Sequence, residues 1–247
     1  MVLGLLLGNT SLRYGLFDGD AILEPGRASW EDLPLRGPEL TERFRQRGVD
    51  TVVAGSVRDD LLPSVSRWLP SGLPPIKLAR RDFELQIPNR YARPDDAGTD
   101  RLLNAIAVRA RSGGRSAVAV DFGTAVSFSV VSGEGAFLGG PIAAGGRAML
   151  AGLRAVTPRL PPVVLERPGR LLSRETRAAL VAGLYTELAG GVRSLLQGLL
   201  GELEPGPALV LATGGEASLI AAEIPEIHEV VENLTLEGLR IAWSSHR

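Results

Sequence analysis

Cysteine is absent from the chain, which excludes disulfides, thiolate zinc sites and cysteine nucleophiles together. Histidine occurs only at His228 and His246, so neither a histidine-based metal centre nor a Ser-His-Asp triad is expected. Lysine is scarcer still. Lys77 stands alone in Ile76-Lys77-Leu78, a setting that does not match the G-x-x-x-x-G-K-[ST] of a P-loop. No G-x-G-x-x-G follows a strand-like run either. Net charge is −1, too near neutrality to imply attraction to nucleic acid or an anionic membrane. No apolar run approaches the length of a membrane span, and Met1–Leu7 is too short for the apolar region of a signal peptide. A cytoplasmic protein is expected. What is present is a chain of 247 residues, 45% hydrophobic and 22% charged, enough for one large domain or two modest ones. Any nucleotide would have to be held by turns, hydroxyls and carboxylates.

The most informative stretch is Ala117–Ser129. Its Val-rich start reads as a buried strand, Asp121-Phe122-Gly123-Thr124 as a tight turn, and the remainder as a returning strand. One carboxylate, one glycine backbone and one hydroxyl thus converge at a hairpin tip. Gly123 lets a ligand approach the main chain, Asp121 suits a cation, and Thr124 can donate to a phosphate oxygen. The N-terminus repeats the pattern, with Val2–Leu7 as the strand, Gly8-Asn9-Thr10 as the turn and Ser11–Phe17 returning. Overlaying the two puts Leu6 in the place of Asp121.

The rest of the chain reads as two similar halves. The first continues with a turn at Asp18-Gly19-Asp20, a strand near Ala21–Leu23 and a further extended piece before Trp30. Pro34 and Pro38 mark a loop, followed by a helix over Glu39–Arg47 that stops at Gly48. A strand at Thr51–Ala54, a helix near Asp59–Trp68, breaks at Pro70, Pro74 and Pro75, and a strand at Ile76–Leu78 complete it. The second half has strands at Ala117–Val120, Ala125–Val131 and Ala136–Leu138. Helices follow over Ala148–Ala155 and Arg174–Leu200, then a strand at Ala208–Ala212 and helices at Glu216–Ala222 and Leu236–Trp243. The expected fold is α/β, with two ribonuclease H-like domains, 1–110 and 111–247, facing each other across a cleft with one phosphate hairpin from each.

Between the halves lies Tyr91–Arg101, a polar stretch leading into an amphipathic helix over Leu102–Arg111. Asp100 falls where a helix begins. Helix capping and the macrodipole account for one acidic residue there, but not for Tyr91, Gly98, Asp100 and Arg101 together.

These blocks resemble the type III pantothenate kinases of the actin-like, sugar-kinase and heat-shock ATPase superfamily. The resemblance runs through G-N-T at Gly8–Thr10, Y-x-x-P…G-x-D-R-x-x-N-A at Tyr91–Ala105 and D-F-G-T-A at Asp121–Ala125. It continues through Gly139–Gly145, Thr213-Gly214-Gly215 and Leu234–Leu239. It implies ATP-dependent phosphorylation of pantothenate, the first step towards coenzyme A. Asp100 would be the proton acceptor for the substrate hydroxyl. Tyr91 and Arg101 would hold pantothenate with the Gly98 and Thr99 backbone, and Thr176 would also touch it. Leu6 and Leu7 would lead into a triphosphate-wrapping turn formed by Gly8, Asn9, Thr10, Ser11, Leu12 and Arg13, and Thr124 would contact ATP. Asp121 would hold a monovalent cation, K+ or NH4+, and Mg2+ would accompany ATP. A homodimer is implied, its substrate pocket completed by the neighbouring subunit.

One departure is chemical. The family pattern has aspartate where Leu6 stands, and leucine offers no lone pair to magnesium or to its water. Thr99 and Glu175 are milder changes on the substrate side. Three readings follow: a working kinase, slow or with altered metal handling; a catalytically impaired homologue that binds ligand or regulates; and a kinase for another small hydroxylated substrate.

Overall fold

The computed structural model describes residues 1–69 and 72–246; the expected break at Pro70 lies outside them. Two compact units are formed, Met1–Arg111 together with the segment from Asn233, and Ser112–Glu232.

In the first unit, β1 (Val2–Leu7), β2 (Ser11–Asp18) and β3 (Ala21–Ser29) form an antiparallel meander. Next come α1 (Leu33–Gln46), β4 (Thr51–Ser56), α2 (Leu62–Trp68), β5 (Ile76–Leu78) and α3 (Thr99–Ser112). The sheet order is β3-β2-β1-β4-β5, with β4 parallel to β1. β1 lies at the centre and is buried along its whole length, as its unbroken apolar sequence requires. Leu3, Leu5, Leu7, Leu12, Tyr14 and Leu16 pack with Leu33, Leu40 and Phe44 of α1 and Val65 of α2.

Two expectations change here. Pro34 and Pro38 do not mark a loop, because the helix starts at Leu33 and includes both. Pro34 falls in the first turn, where no N–H donor is needed; Pro38 lies one turn on, in a helix fastened by buried Leu33, Leu40 and Phe44. The two extended pieces before Trp30 are one strand, Ala21–Ser29, bridged by a register shift between Tyr14 and Leu16 on its partner.

The second unit repeats the order with β6 (Ala117–Phe122), β7 (Ala125–Val131), β8 (Phe137–Gly139), β9 (Ile142–Ala144), α4 (Gly146–Val156), α5 (Thr176–Glu202), β10 (Leu209–Thr213), α6 (Ala217–Ile220) and β11 (Glu229–Val230). Its sheet runs β11-β10-β6-β7-β8, with β9 also on β7. β9 and β11 were not expected; they are three and two residues long, too short to show a period. Phe122, Phe128, Val130 and Val210 pack against Tyr185, Leu188, Val192 and Leu196 of α5.

The closing helix, α7 (Leu234–His246), belongs by its contacts to the first unit, whereas the sequence reading ran the second domain to 247. Gly238 is the reason that it fits. Any side chain there would overlap the Leu103 carbonyl of α3, so the two helices cross with backbones nearly touching. Arg240 donates to Asp20 at 2.7 Å, and Arg111 pairs with Glu237 at 2.8 Å. Asp20 remains an exposed turn residue, and its carboxylate meets Arg240 from the solvent side.

Candidate active site

The first hairpin closes through a bond from Gly8 N to Ser11 O at 3.1 Å, with Leu7 opposite Leu12. Leu7 and Leu12 point into the core, and neither side chain is open to solvent. Asn9 and Thr10 are exposed at the tip. Two residues that the sequence did not single out hold it: Arg27 donates to Ser11 Oγ at 2.8 Å and Thr10 Oγ1 at 3.4 Å, and Trp30 Nε1 donates to Gly8 O at 3.1 Å. Their distance along the chain hid them.

The second hairpin is one residue tighter, closed by Gly123 N to Ala125 O at 3.1 Å, with Phe122 opposite Val126. Counting back from each turn, Leu6 and Asp121 both occupy the penultimate strand position. Leu6 lies between Arg13 and Gly55, and Asp121 between Ser127 and Thr213. A β-carbon on Gly214 would sit 2.5 Å from Asp121 Oδ1, and Gly214 has φ +97°. Only glycine meets both conditions.

Beside Leu6 the residues in register, Gly55 and Arg13, bring no side-chain oxygen. A β-carbon on Gly55 would lie 2.6 Å from Leu103 Cδ1, 3.2 Å from Leu6 Cδ2 and 3.6 Å from Thr99 Cγ2. This donor set does not fit a protein-held divalent ion, which needs oxygen ligands. The Asp121 position, one carboxylate with hydroxyls of Ser127 and Thr213 in flanking register, does suit a singly charged cation.

Tyr91, Gly98, Thr99, Asp100 and Arg101 gather at the start of α3 in the first unit. Asp100 turns back over Gly98, where a β-carbon would come within 2.6 Å of its Oδ1. Arg101, 4% exposed, stacks its guanidinium 5.6 Å from the centre of the Tyr91 ring and donates to Tyr91 Oη at 3.4 Å. The loop before the helix is clamped by Arg80, another residue not foreseen. Its guanidinium donates to Ala97 O at 2.6 Å and to Asp95 O at 3.2 Å from a backbone with φ +71°. Thr176 is exposed at the start of α5 in the second unit. Thr124 sits exposed in the second turn.

The repeated order of antiparallel meander and parallel crossovers defines the actin-like ATPase and sugar-kinase class of fold. Solved structures agree. The ROK family glucokinase from Streptomyces griseus, in complex with glucose and AMPPNP, superposes with a TM-score of 0.54 at 14% identity, covering 98% of this chain and 99% of its own. The activator of 2-hydroxyisocaproyl-CoA dehydratase from Clostridium difficile, with bound ADPNP, gives 0.53 at 14% identity, covering 99% and 95%. Residues 2–198 match the family model of type III pantothenate kinase. The type III pantothenate kinase 1 of Symbiobacterium thermophilum is 35% identical over 257 residues, covering 98% of this chain and 96% of its own. That of Myxococcus xanthus is 34% identical over 260 residues, covering 98% of each. The chain belongs to the type III pantothenate kinase family.

Proposed function

We propose that this protein transfers the γ-phosphoryl group of ATP to pantothenate, giving 4'-phosphopantothenate at the entry to coenzyme A synthesis in the cytoplasm. The observation that carries this reading is the start of α3, where a carboxylate folded over Gly98 is followed directly by a buried guanidinium stacked on Tyr91. Asp100 accepts the proton of the substrate hydroxyl as it attacks. Arg101 takes the pantothenate carboxylate with its two-pronged donor set, Tyr91 flanks it, and the backbone of Gly98 and Thr99 aligns it. Thr176 contributes a hydroxyl to the substrate. Phosphoryl transfer asks for alignment and charge neutralisation more than for covalent chemistry, so one placed base and one placed cation suffice on the acceptor side.

On the donor side the turn Gly8–Arg13 follows the triphosphate, with Leu6 and Leu7 leading into it, and Thr124 donates from the second tip. ATP arrives with a divalent ion as its counter-charge. K+ or NH4+ at Asp121 supplies a further fixed positive charge. The working unit is a homodimer. In support, Val156, Val164, Leu171 and Leu172 are 80%, 81%, 67% and 83% exposed. Leu171 and Leu172 line a concavity of about 550 Å³ together with Ala182 and Gly183.

Purified protein with ATP, Mg2+, K+ and pantothenate should form phosphopantothenate, and omission of K+ should lower the rate. Absence of turnover at high enzyme concentration rejects the proposal.

A further inference from the structure

The end of the first sheet presents one row of residues across four strands, Gly55, Leu6, Arg13 and Arg27, each directly opposite the next. Opposed residues share a face, so two guanidinium side chains stand beside each other at the base of the turn that Gly8–Ser11 forms. The row itself contains no carboxylate. In the second sheet the equivalent row begins Thr213, Asp121, Ser127, with a carboxylate and hydroxyls in place of leucine and arginine. Two guanidinium groups side by side offer paired donors to a polyanion lying over the row. Arg13 and Arg27 are also held in place. Arg13 donates to Thr235 Oγ1 at 3.5 Å, and Arg27 to the Ser11 and Thr10 hydroxyls of the turn. Leu6 is buried, with its Cδ2 3.2 Å from where a β-carbon on Gly55 would stand, so the position that could carry an oxygen ligand for a divalent ion is filled by hydrocarbon.

We infer that this row is a polyphosphate subsite that works without a protein-held divalent ion: Arg13 and Arg27 contact the phosphate oxygens directly, and Leu6 removes the carboxylate that would otherwise recruit a metal there. The inference rests on the proposed nucleotide site and narrows it. Metal then enters only as the counter-ion of the nucleotide, bound to its phosphates rather than to the chain. Guanidinium suits this role because its fork meets two phosphate oxygens at once.

The test is calorimetric titration of the full chain with AMP-PNP and with inorganic tripolyphosphate, each in EDTA and in saturating Mg2+. AMP-PNP affinity should differ by less than about threefold between the two conditions. Arg27→Gln, at the exposed end of the row, should weaken both probes about tenfold, the scale of one charge-assisted contact, and Arg13→Gln should do the same if it folds. Leu6→Asp should make AMP-PNP binding metal-dependent by tenfold or more, with a new bound Mn2+ signal by electron paramagnetic resonance. Wild-type binding that strengthens tenfold or more with Mg2+ overturns the inference, as does unchanged binding in Arg27→Gln or failure to bind either probe. Phosphopantothenate formation measured on the same preparations reports separately on the kinase reading, which stands or falls on turnover.

Discussion

The carboxylate of Asp100 occupies the volume that a side chain on Gly98 would need, so the placement of this carboxylate depends on two residues and not one. Asp100→Asn keeps the size and the hydrogen-bonding shape but cannot accept a full proton. It should lower kcat by a factor of about 10² to 10⁴, the usual contribution of a general base, while pantothenate affinity, read by calorimetry, changes little. Turnover that survives the substitution removes Asp100 from the role. Arg101→Lys separates the other half of the pair. A lysine retains the charge and loses the fork, so KM for pantothenate should rise about tenfold or more with a smaller change in kcat, and an unchanged KM would reject the carboxylate contact.

Helix crossings set the next level. The contact of α3 with α7 at Leu103 and Gly238 leaves no room for a methyl group. Gly238→Ala should therefore force the helices apart at a cost of about 1–3 kcal/mol or more. Thermal unfolding should show a fall in Tm of about 2–4 °C per kcal/mol for a chain of this length; an unshifted Tm would contradict the geometry. On α5, Tyr185 donates to Leu219 O at 3.2 Å and Glu223 Oε1 at 3.1 Å. Burial first, then the Glu223 contact, raises its hydroxyl above the ordinary value of 10.0. The folded state thus favours the protonated phenol. That contribution is complete below pH 10 and is lost as pH rises through the folded value. Denaturant unfolding should find Tyr185→Phe less stable than wild type at pH 8, and the gap should narrow towards pH 11; a gap constant with pH would refute the shift. Element boundaries also show where reading from residues succeeds. Val2–Leu7 and Ala125–Val131 were legible because an apolar run between turn residues has one reasonable meaning. Pro34 and Pro38 misled because proline lacks a donor that the first turn of a helix does not use, and because buried Leu33, Leu40 and Phe44 outweigh the local cost further in.

Over the whole molecule, the internal repeat was legible at its two turns and the structure extends it to two sheets of matching order. The equivalence of Leu6 and Asp121 follows from strand register as well as from the overlay of G-N-T on D-F-G-T. Arg27 and Arg80 were not legible. Each acts through a long side chain on backbone or hydroxyls 16 or 17 residues away, and no local pattern announces such a reach. The exposure of Val164, Leu171 and Leu172 was likewise silent in sequence, since only the fold reveals which hydrophobic residues stay uncovered. If that face joins two copies, sedimentation should report a dimer, and Leu172→Glu should shift it towards monomer without changing the circular dichroism spectrum; a monomeric wild type would remove the dimer from the proposal.

Helix α7 carries a consequence for biogenesis. During translation, the strand that starts the chain must wait for a segment made after residue 232 before its own unit is whole. The middle of the polypeptide can reach its native contacts first, and the beginning matures last, reversing the usual vectorial sequence. Ribosome-stalled chains carrying a C-terminal linker, so that residues up to 232 have emerged while α7 is still inside the exit tunnel, should resist protease across 112–232 while 1–111 is still cut.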